Sequence, residues 1–281
     1  MKRLLILLFT FGGFALIFNS CDQIEAPYIN TNIDTSGSTP QAQKVLIEDY
    51  TGHKCGNCPR ATKSAYDLKA IYGDRLVILA VHAGFFAGTS PAPFTYEFKC
   101  PESIQLDNDF GISAAGNPNG MVNRKQVNSS YIIDYLNWGS EASAILGSNN
   151  TSPVTIGIVN VYNSSTRALE TTVNTEFLTS LSGSYNITVF LAEDSIIEWQ
   201  KDYDVTPNDI PNYVHRDVLR GSMNGTYGTA IPSAAAGTTD SQVFNTTLNS
   251  AWDDTHMSVI AFVSDAATKE IIQVEQVEIT P

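Results

Sequence analysis

The chain has 281 residues, of which 43% are hydrophobic and 16% are charged. This length and composition predict two domains with packed cores, and they exclude a disordered chain or a long coiled coil. The formal net charge of −13, from 16 basic and 29 acidic residues, argues against nucleic acid as a partner, because binding it needs a clustered basic surface.

The first twenty residues are typical of a secretory signal peptide. Two basic residues precede an apolar run over residues 4–18, which is short for a membrane span of about 18 or more residues. Ser20 directly before Cys21 resembles the cleavage site of bacterial lipoproteins, in which the cysteine carries acyl chains. We therefore expect a lipoprotein signal peptide over residues 1–20 and a membrane anchor on Cys21. An ordinary secretory signal is the alternative.

Residues 21–43 are predicted to form a flexible tether between the anchor and the first domain. They are polar, rich in Thr, Ser, Asn and Pro, and show no periodicity.

The first domain, residues 44–150, begins with a predicted βαβ unit. A short apolar run over residues 45–47 predicts a strand, and apolar residues then recur at helical spacing up to Gly73. Residues 76–81, LVILAV, predict a strand buried on both faces. Strand, helix and strand in about 40 residues favour a parallel pair with a right-handed crossover. A closing helix is predicted over residues 131–146.

The sequence Cys55-Gly56-Asn57-Cys58 opens the predicted helix and is the strongest chemical signal in the chain. Unpaired N–H groups and the positive dipole end at a helix N-terminus stabilise a thiolate and lower its pKa. We expect Cys55 to be the exposed attacking thiol and Cys58 the more buried resolving thiol. An inert structural disulfide or half of a zinc site are the alternatives.

Three further side chains bear on this pair. His53 and His82 are placed near it by the predicted topology, so that His53, Cys55, Cys58 and His82 could form a copper(I) or zinc site. The alternative is that these histidines only lower the thiol pKa or hydrogen-bond locally. Cys100 is left single when the other two cysteines pair; it is predicted to be a buried free thiol, or else a resolving partner or an intermolecular bridge.

The second half, residues 151–281, is predicted to be an antiparallel β-sandwich. Residues 154–161, 185–191 and 258–263 alternate between apolar and polar side chains, with Asn, Ser, Gly and Asp clusters between them. Residues 221–240 are rich in glycine and threonine and predict a mobile loop. No grouping of side chains here predicts catalysis.

Five segments resemble thioredoxin-like proteins, and more narrowly the Omp28-related outer membrane lipoproteins of Bacteroidetes-type bacteria. They are VLIEDYTGHKCGNCPRA (45–61), LVILAVHAG (76–84), GNPNGMVNRK (116–125), residues 185–200 and YVHRDVLRG (213–221). The resemblance implies a thioredoxin-like N-terminal domain in an α/β plus all-β protein. It also assigns Asn117-Pro118 to a cis-proline loop that faces the cysteines and pairs with an extended substrate.

The function that the resemblance implies is thiol–disulfide exchange on envelope proteins or peptides that carry thiols or disulfides, without a bound cofactor. The catalytic residues would be Cys55, Cys58 and Pro118, and the substrate-binding residues Asn117, Gly56 and Asn57. A non-enzymatic binding lipoprotein with a structural Cys55–Cys58 disulfide is the second hypothesis, and a copper or zinc protein is the third.

Overall fold

The computed structural model describes the backbone of residues 28–30 and the whole of residues 40–147 and 151–280. The predicted signal peptide and Cys21 lie outside these ranges. The protein is mostly β-sheet with several sheets, and the α-helices of the described residues all lie before residue 147. Within the described ranges, no helix combines the length and the apolar character that a membrane crossing needs.

The first half contains five strands and four helices among its described residues. They are β1 (Tyr28–Asn30), β2 (Val45–Thr51), α1 (Cys58–Tyr72), β3 (Leu76–His82), α2 (Gly84–Ala87), α3 (Pro101–Phe110), β4 (Asn119–Val122), β5 (Ile133–Asp134) and α4 (Trp138–Leu146). Strands β2 and β3 pair in parallel along their whole length, and every residue of both is buried. The predicted βαβ unit is thus confirmed.

The helix within this unit, α1, and the last helix of the first half, α4, follow from local sequence. Helix α1 tolerates Pro59 because this residue lies in the first turn, where backbone N–H groups have no helical partner. The helix buries Ala61 and Ala65. Helix α4 starts at Trp138, seven residues later than the predicted helix, because the preceding residues form β5 and pair with β4. There the Asp134 side chain accepts a hydrogen bond from the Leu136 N–H and starts a short 3-10 turn.

The second half consists of strands. They are β6 (Val154–Asn163), β7 (Ala168–Phe177), β8 (Tyr185–Glu193), β9 (Ile196–Lys201), β10 (Asp209–His215), β11 (Val218–Ser222), β12 (Thr229–Ile231), β13 (Thr239–Thr247), β14 (Met257–Asp265) and β15 (Ile271–Glu278). Buried and half-buried residues alternate along the whole of β6, as the period-two pattern predicts. The region predicted to be a mobile loop, 221–240, instead contains β12, which pairs with β8.

A nine-stranded sheet of the described residues runs through both halves of the chain. Its order is β15-β14-β8-β11-β3-β2-β4-β5, with β12 beside β8. The halves meet where β11 lies parallel to β3: Val218 is opposite Ala80, and the Ala80 N–H donates to Asp217 O over 2.8 Å. The predicted domain boundary near residue 150 falls between α4 and β6, but the sheet continues across it.

Two hydrophobic clusters show how the layers pack. One joins β6 and β7 of the four-stranded sheet β1-β6-β7-β13 to β8 and β14 of the large sheet. The other combines residues of both halves, with Leu46 and Val77 from β2 and β3 packed among Phe190, Ile260 and Phe262. Strand β1 lies within the predicted tether and pairs with β6, Tyr28 opposite Tyr162.

Strands β9 and β10 form a separate two-stranded sheet, which we call the β9–β10 hairpin. The sequence analysis did not predict it, because residues 196–215 alternate poorly and contain Pro211. The hairpin lies next to the predicted thiol pair and determines the shape of the site.

Candidate functional site

Cys55 and Cys58 form a disulfide, with Cα atoms 5.4 Å apart. Cys55 lies in the loop after β2, and Cys58 is the first residue of α1, so the pair sits at the helix N-terminus as predicted. Asn57 occupies the N-cap position without a side-chain capping bond. The loop closes as a turn in which the Cys58 N–H donates to Cys55 O over 3.3 Å.

Both cysteines are buried, with 3% of Cys55 and 1% of Cys58 exposed. The prediction of an exposed Cys55 is therefore wrong for this structure. The physical reason is the β9–β10 hairpin, which lies against the Cys55–Cys58 loop.

Backbone hydrogen bonds attach the hairpin to this loop. The Lys201 N–H donates to His53 O over 2.7 Å, and the Tyr203 N–H donates to Gly56 O over 2.9 Å. The two acceptors flank Cys55 in sequence. The end of β9 and the turn after it thus donate two backbone hydrogen bonds to the loop that holds the disulfide.

Two side chains complete the contact. Gln200 Nε2 donates to Cys55 O over 3.0 Å and to Gly52 O over 3.4 Å, and Gln200 itself is buried. The Tyr203 ring lies on Gly56 so closely that a Cβ atom at Gly56 would come within 2.6 Å of it. The predicted substrate-binding residue Gly56 is therefore covered by the protein's own chain.

Asp49 is a site residue that the sequence analysis missed. It lies in β2 with 1% exposure; its Oδ2 accepts a hydrogen bond from the Thr62 hydroxyl over 3.2 Å, and its Oδ1 has no partner among the described residues. Desolvation by burial raises the pKa of Asp49 to about 7. The two adjacent acidic residues Glu48 and Asp49, directly after the apolar run 45–47 and shortly before Cys55, are the signal that could have identified it.

Thr62 and Cys58 line one small cavity of about 20 Å³, which is wide enough for a single water. Cys58 and Thr62 lie one turn apart on α1, so the hydroxyl that contacts Asp49 stands beside the cavity next to Cys58. Asp49 is thus linked to the cavity beside Cys58 through the Thr62 hydroxyl.

The predicted metal ligands are not brought together as a metal site. The His53 ring lies between Phe94 and Phe98, and its Nε2 is 3.2 Å from Gly88 O. His82 stacks on Phe98 with ring centroids 4.3 Å apart. Both cysteine sulfurs are used by the disulfide, and the described ranges hold no group of three or more His, Cys, Asp or Glu side chains suited to a metal ion.

A third histidine, His215 of β10, was also missed. Its ring centroid is 5.5 Å from that of His82, and both rings line the cavity next to Cys58. Neither ring nitrogen of His82 makes a hydrogen bond of normal geometry with the described residues. Burial lowers the pKa of His82, and it lowers the pKa of His215 to about 3. Both rings are therefore neutral at physiological pH.

The remaining predicted residues have clear positions. The Asn117–Pro118 peptide is cis, and Asn119 of β4 pairs with Tyr50 of β2, so Pro118 lies at the end of β2 that leads to the cysteines. Both polar side-chain atoms of Asn117 are buried without a partner among the described residues. Cys100 is free and buried, as predicted, and burial raises its thiol pKa to about 11.

Comparison with known proteins gives a family match. The model for the outer membrane protein Omp28 matches residues 104–281. This range begins within α3, so it spans more than half of the chain but leaves out Cys55 and Cys58. No curated protein matches the sequence.

Solved structures with a similar fold include HBP35 of Porphyromonas gingivalis, with a TM-score of 0.64 and 17% identity over 86% of this chain and 76% of that one. A protein of Agrobacterium tumefaciens has a TM-score of 0.51 and 12% identity over 86% of this chain and 97% of that one. A domain of the outer membrane lipoprotein Omp28 from Porphyromonas gingivalis has 21% identity over 46% of this chain and 90% of that one, with a TM-score of 0.33. At 17% and 12% identity, the likenesses to the first two structures show the fold alone.

The match over residues 104–281 confirms the narrower of the two resemblances, that to Omp28-related outer membrane proteins, and with it a location in the outer membrane. The protein belongs to the Omp28 family of outer membrane proteins.

Proposed function

We propose that this protein is a lipoprotein that exchanges disulfides with envelope proteins or peptides through Cys55 and Cys58. One observation carries the proposal: the disulfide opens a helix, and a buried carboxyl group with a pKa of about 7 is hydrogen-bonded to Thr62, one turn after Cys58 on that helix. Perturbed acids next to a thiol pair are typical of sites that move protons.

Two features of the fold support a thioredoxin-like domain over residues 44–150 and a β-sandwich over residues 151–281. In the β2–α1–β3 unit, β2 pairs in parallel with β3 on one side and antiparallel with β4 on the other, and the disulfide lies at the start of the helix. The core shared by the four-stranded sheet and strands β8 and β14 supports a sandwich.

In the reducing direction, the Cys55 thiolate attacks a substrate disulfide. A Cys55–substrate bond forms, the substrate sulfur–sulfur bond breaks, and one substrate thiolate leaves. The Cys58 thiol then loses its proton to Asp49 and attacks the Cys55 sulfur. This step forms the Cys55–Cys58 disulfide and releases the second substrate thiolate, so the substrate gains two electrons and the cysteine pair loses two. The reverse sequence oxidises a dithiol substrate.

A second function is favoured by the burial of both cysteines. A disulfide with 3% and 1% of its two residues exposed also suits a staple of the loop before α1 in a binding lipoprotein without enzymatic activity. The two functions differ in the reduction potential that they require.

The deciding experiment is equilibration of the purified protein in redox buffers of defined potential, followed by alkylation and mass analysis of Cys55, Cys58 and Cys100. The exchange function predicts a reversible two-electron transition of the pair at roughly −120 to −270 mV. A pair that stays oxidised below about −300 mV would contradict exchange and leave the structural staple. Cys100 serves as an internal control for unfolding, because it is buried and free.

The lipid anchor on Cys21 is part of the proposal and rests on the sequence before that residue. Expression in a bacterium with labelled fatty acid should label the natural chain and leave a Cys21→Ser variant unlabelled. Label on the variant would contradict the anchor.

A further inference from the structure

The β9–β10 hairpin is held at its base and its tip by different kinds of contact. At the base, Ile196 of β9 is buried in a cluster with Phe98 and Val218. The tip, which we define as residues 200–209, is held by hydrogen bonds, by an exposed ion pair between Arg60 and Asp204, and by the contact of the Tyr203 ring, itself half exposed, with Gly56. Residues 203–208 are exposed. Moving the tip therefore breaks polar contacts that water can replace and leaves the apolar base in place.

The hairpin is also independent of the larger sheets. Its two strands pair only with each other in the described sheets, from Asp209 opposite Lys201 to His215 opposite Ile196. A two-stranded hairpin by itself is only marginally stable in water. Opening of its tip thus leaves both larger sheets intact.

The tip occupies the disulfide loop as an incoming extended chain would. The donors of its two backbone hydrogen bonds, Lys201 and Tyr203, are two residues apart, and the Asp202 N–H between them points the other way, to Asn208 O, so the segment alternates its N–H groups as a strand edge does. Their acceptors, His53 O and Gly56 O, lie on either side of Cys55. The Tyr203 ring rests on the face that Gly56 leaves open.

We propose that residues 200–203 fill the substrate site of this protein, and that the tip of the β9–β10 hairpin must move away before Cys55 can exchange its disulfide. This inference rests on the proposed exchange function. The substrate class that follows is an extended polypeptide segment with an accessible thiol or disulfide. Its backbone N–H groups replace those of Lys201 and Tyr203 on His53 O and Gly56 O.

The first test measures how fast a water-soluble phosphine reduces the Cys55–Cys58 disulfide in the natural chain and in a Gln200→Ala/Tyr203→Ala variant. The control is Ile197→Ala, on the exposed side of the same hairpin. A closed tip predicts that the natural rate levels off at high phosphine concentration, because opening becomes limiting. The double variant should react about tenfold faster, as expected for loss of about 1.4 kcal/mol of closing contacts, and the control should match the natural chain.

Equal rates that rise linearly with phosphine in the natural chain and the double variant would overturn the proposal. If the double variant does not fold, amide hydrogen exchange of the natural chain decides. The opening that exposes the Lys201 and Tyr203 amides to exchange should have a lower free energy than the opening that exposes the amides of β3. Equal protection of the two groups would overturn the proposal. Neither readout depends on the reduction potential. A result against the exchange function and a result against closure by the hairpin tip can therefore be told apart.

A peptide test addresses the substrate class. A labelled peptide with the sequence of residues 198–206 should bind the double variant about tenfold more tightly than the natural chain, because a larger fraction of the variant is open. The same peptide N-methylated at the positions of Lys201 and Tyr203 should not bind. Equal binding of both peptides would overturn the backbone pairing.

Discussion

Two neighbouring acidic residues of β2 have opposite surroundings. Glu48 forms a buried bidentate ion pair with Arg124, with N–O distances of 2.8 and 2.7 Å. Asp49, on the other face of the strand, has only the Thr62 hydroxyl as a partner. An unpaired buried carboxylate is costly, so Asp49 retains its proton up to a pH of about 7.

This difference predicts the effect of an Asp49→Asn substitution on stability. The pKa of Asp49 is about 7 in the folded protein, against an ordinary value of 3.8, so the folded state binds the proton more tightly. Ionisation therefore destabilises the folded state progressively as pH rises from about 4 to 7. The variant should be more stable than the natural chain at pH 8, by roughly 4 kcal/mol at most at 1.36 kcal/mol per pKa unit.

Urea unfolding at pH 4 and pH 8 checks this expectation, since the advantage of the variant should shrink toward pH 4. An advantage of the same size at both pH values would argue against a raised pKa. If Asp49 takes the proton of Cys58, re-oxidation of the reduced pair should also lose its inflection near pH 7 in the variant, whereas a purely structural Asp49 would leave that profile unchanged.

At the scale of elements, β4 is tightly enclosed between β2 and α4. A Cβ atom on Gly120 would lie 2.4 Å from Glu48 O and 2.7 Å from the Trp138 ring. We expect Gly120→Ala to destabilise the protein by about 1–3 kcal/mol. The added methyl group would require the β2 backbone or the buried Trp138 indole to shift, and both are tightly packed. Gly157→Ala in β6 is the matched control: its nearest contact is 4.0 Å, so its midpoint in urea should change little. Equal losses in both variants would contradict this reason.

Elements with strong local sequence patterns were predictable, whereas the β9–β10 hairpin that lies over the disulfide was not. The apolar run of β3, the helix start at the cysteines and the alternation of β6 each follow from local periodicity. The β9–β10 hairpin has no such pattern, and its position over Cys55 depends on contacts between residues about 145 positions apart. For the same reason the cysteine pair could be predicted from its spacing, but the raised pKa of Asp49 could not, because burial is a tertiary property.

At the scale of the whole molecule, the large sheet makes the two halves depend on each other. One face of β2 and β3 is covered by residues of the second half, including Phe190, Ile260 and Phe262. A fragment of residues 40–147 would expose that face to water. We expect it to lack a cooperative thermal transition and to bind an apolar dye, whereas the entire chain should unfold in a single transition.

Circular dichroism and dye fluorescence of the fragment, beside the entire chain, check this expectation. A fragment with sharp, cooperative unfolding would mean that the first half folds by itself. The sequence favoured two separate domains because the pattern changes near residue 150. Pairing between β11 and β3 joins strands about 140 residues apart and leaves no local signal.

Strand β1 has a consequence for how the protein stands on its membrane. A chain segment spans at most about 3.5 Å per residue, so the predicted tether from Cys21 to residue 43 would reach about 77 Å. Pairing of Tyr28 with Tyr162 leaves only the seven residue-to-residue steps from Cys21 to Tyr28, or about 25 Å. In the proposed lipoprotein, the edge of the four-stranded sheet is thus kept close to the lipid headgroups. The protein would then bind its substrates next to the bilayer rather than at the far end of an extended tether.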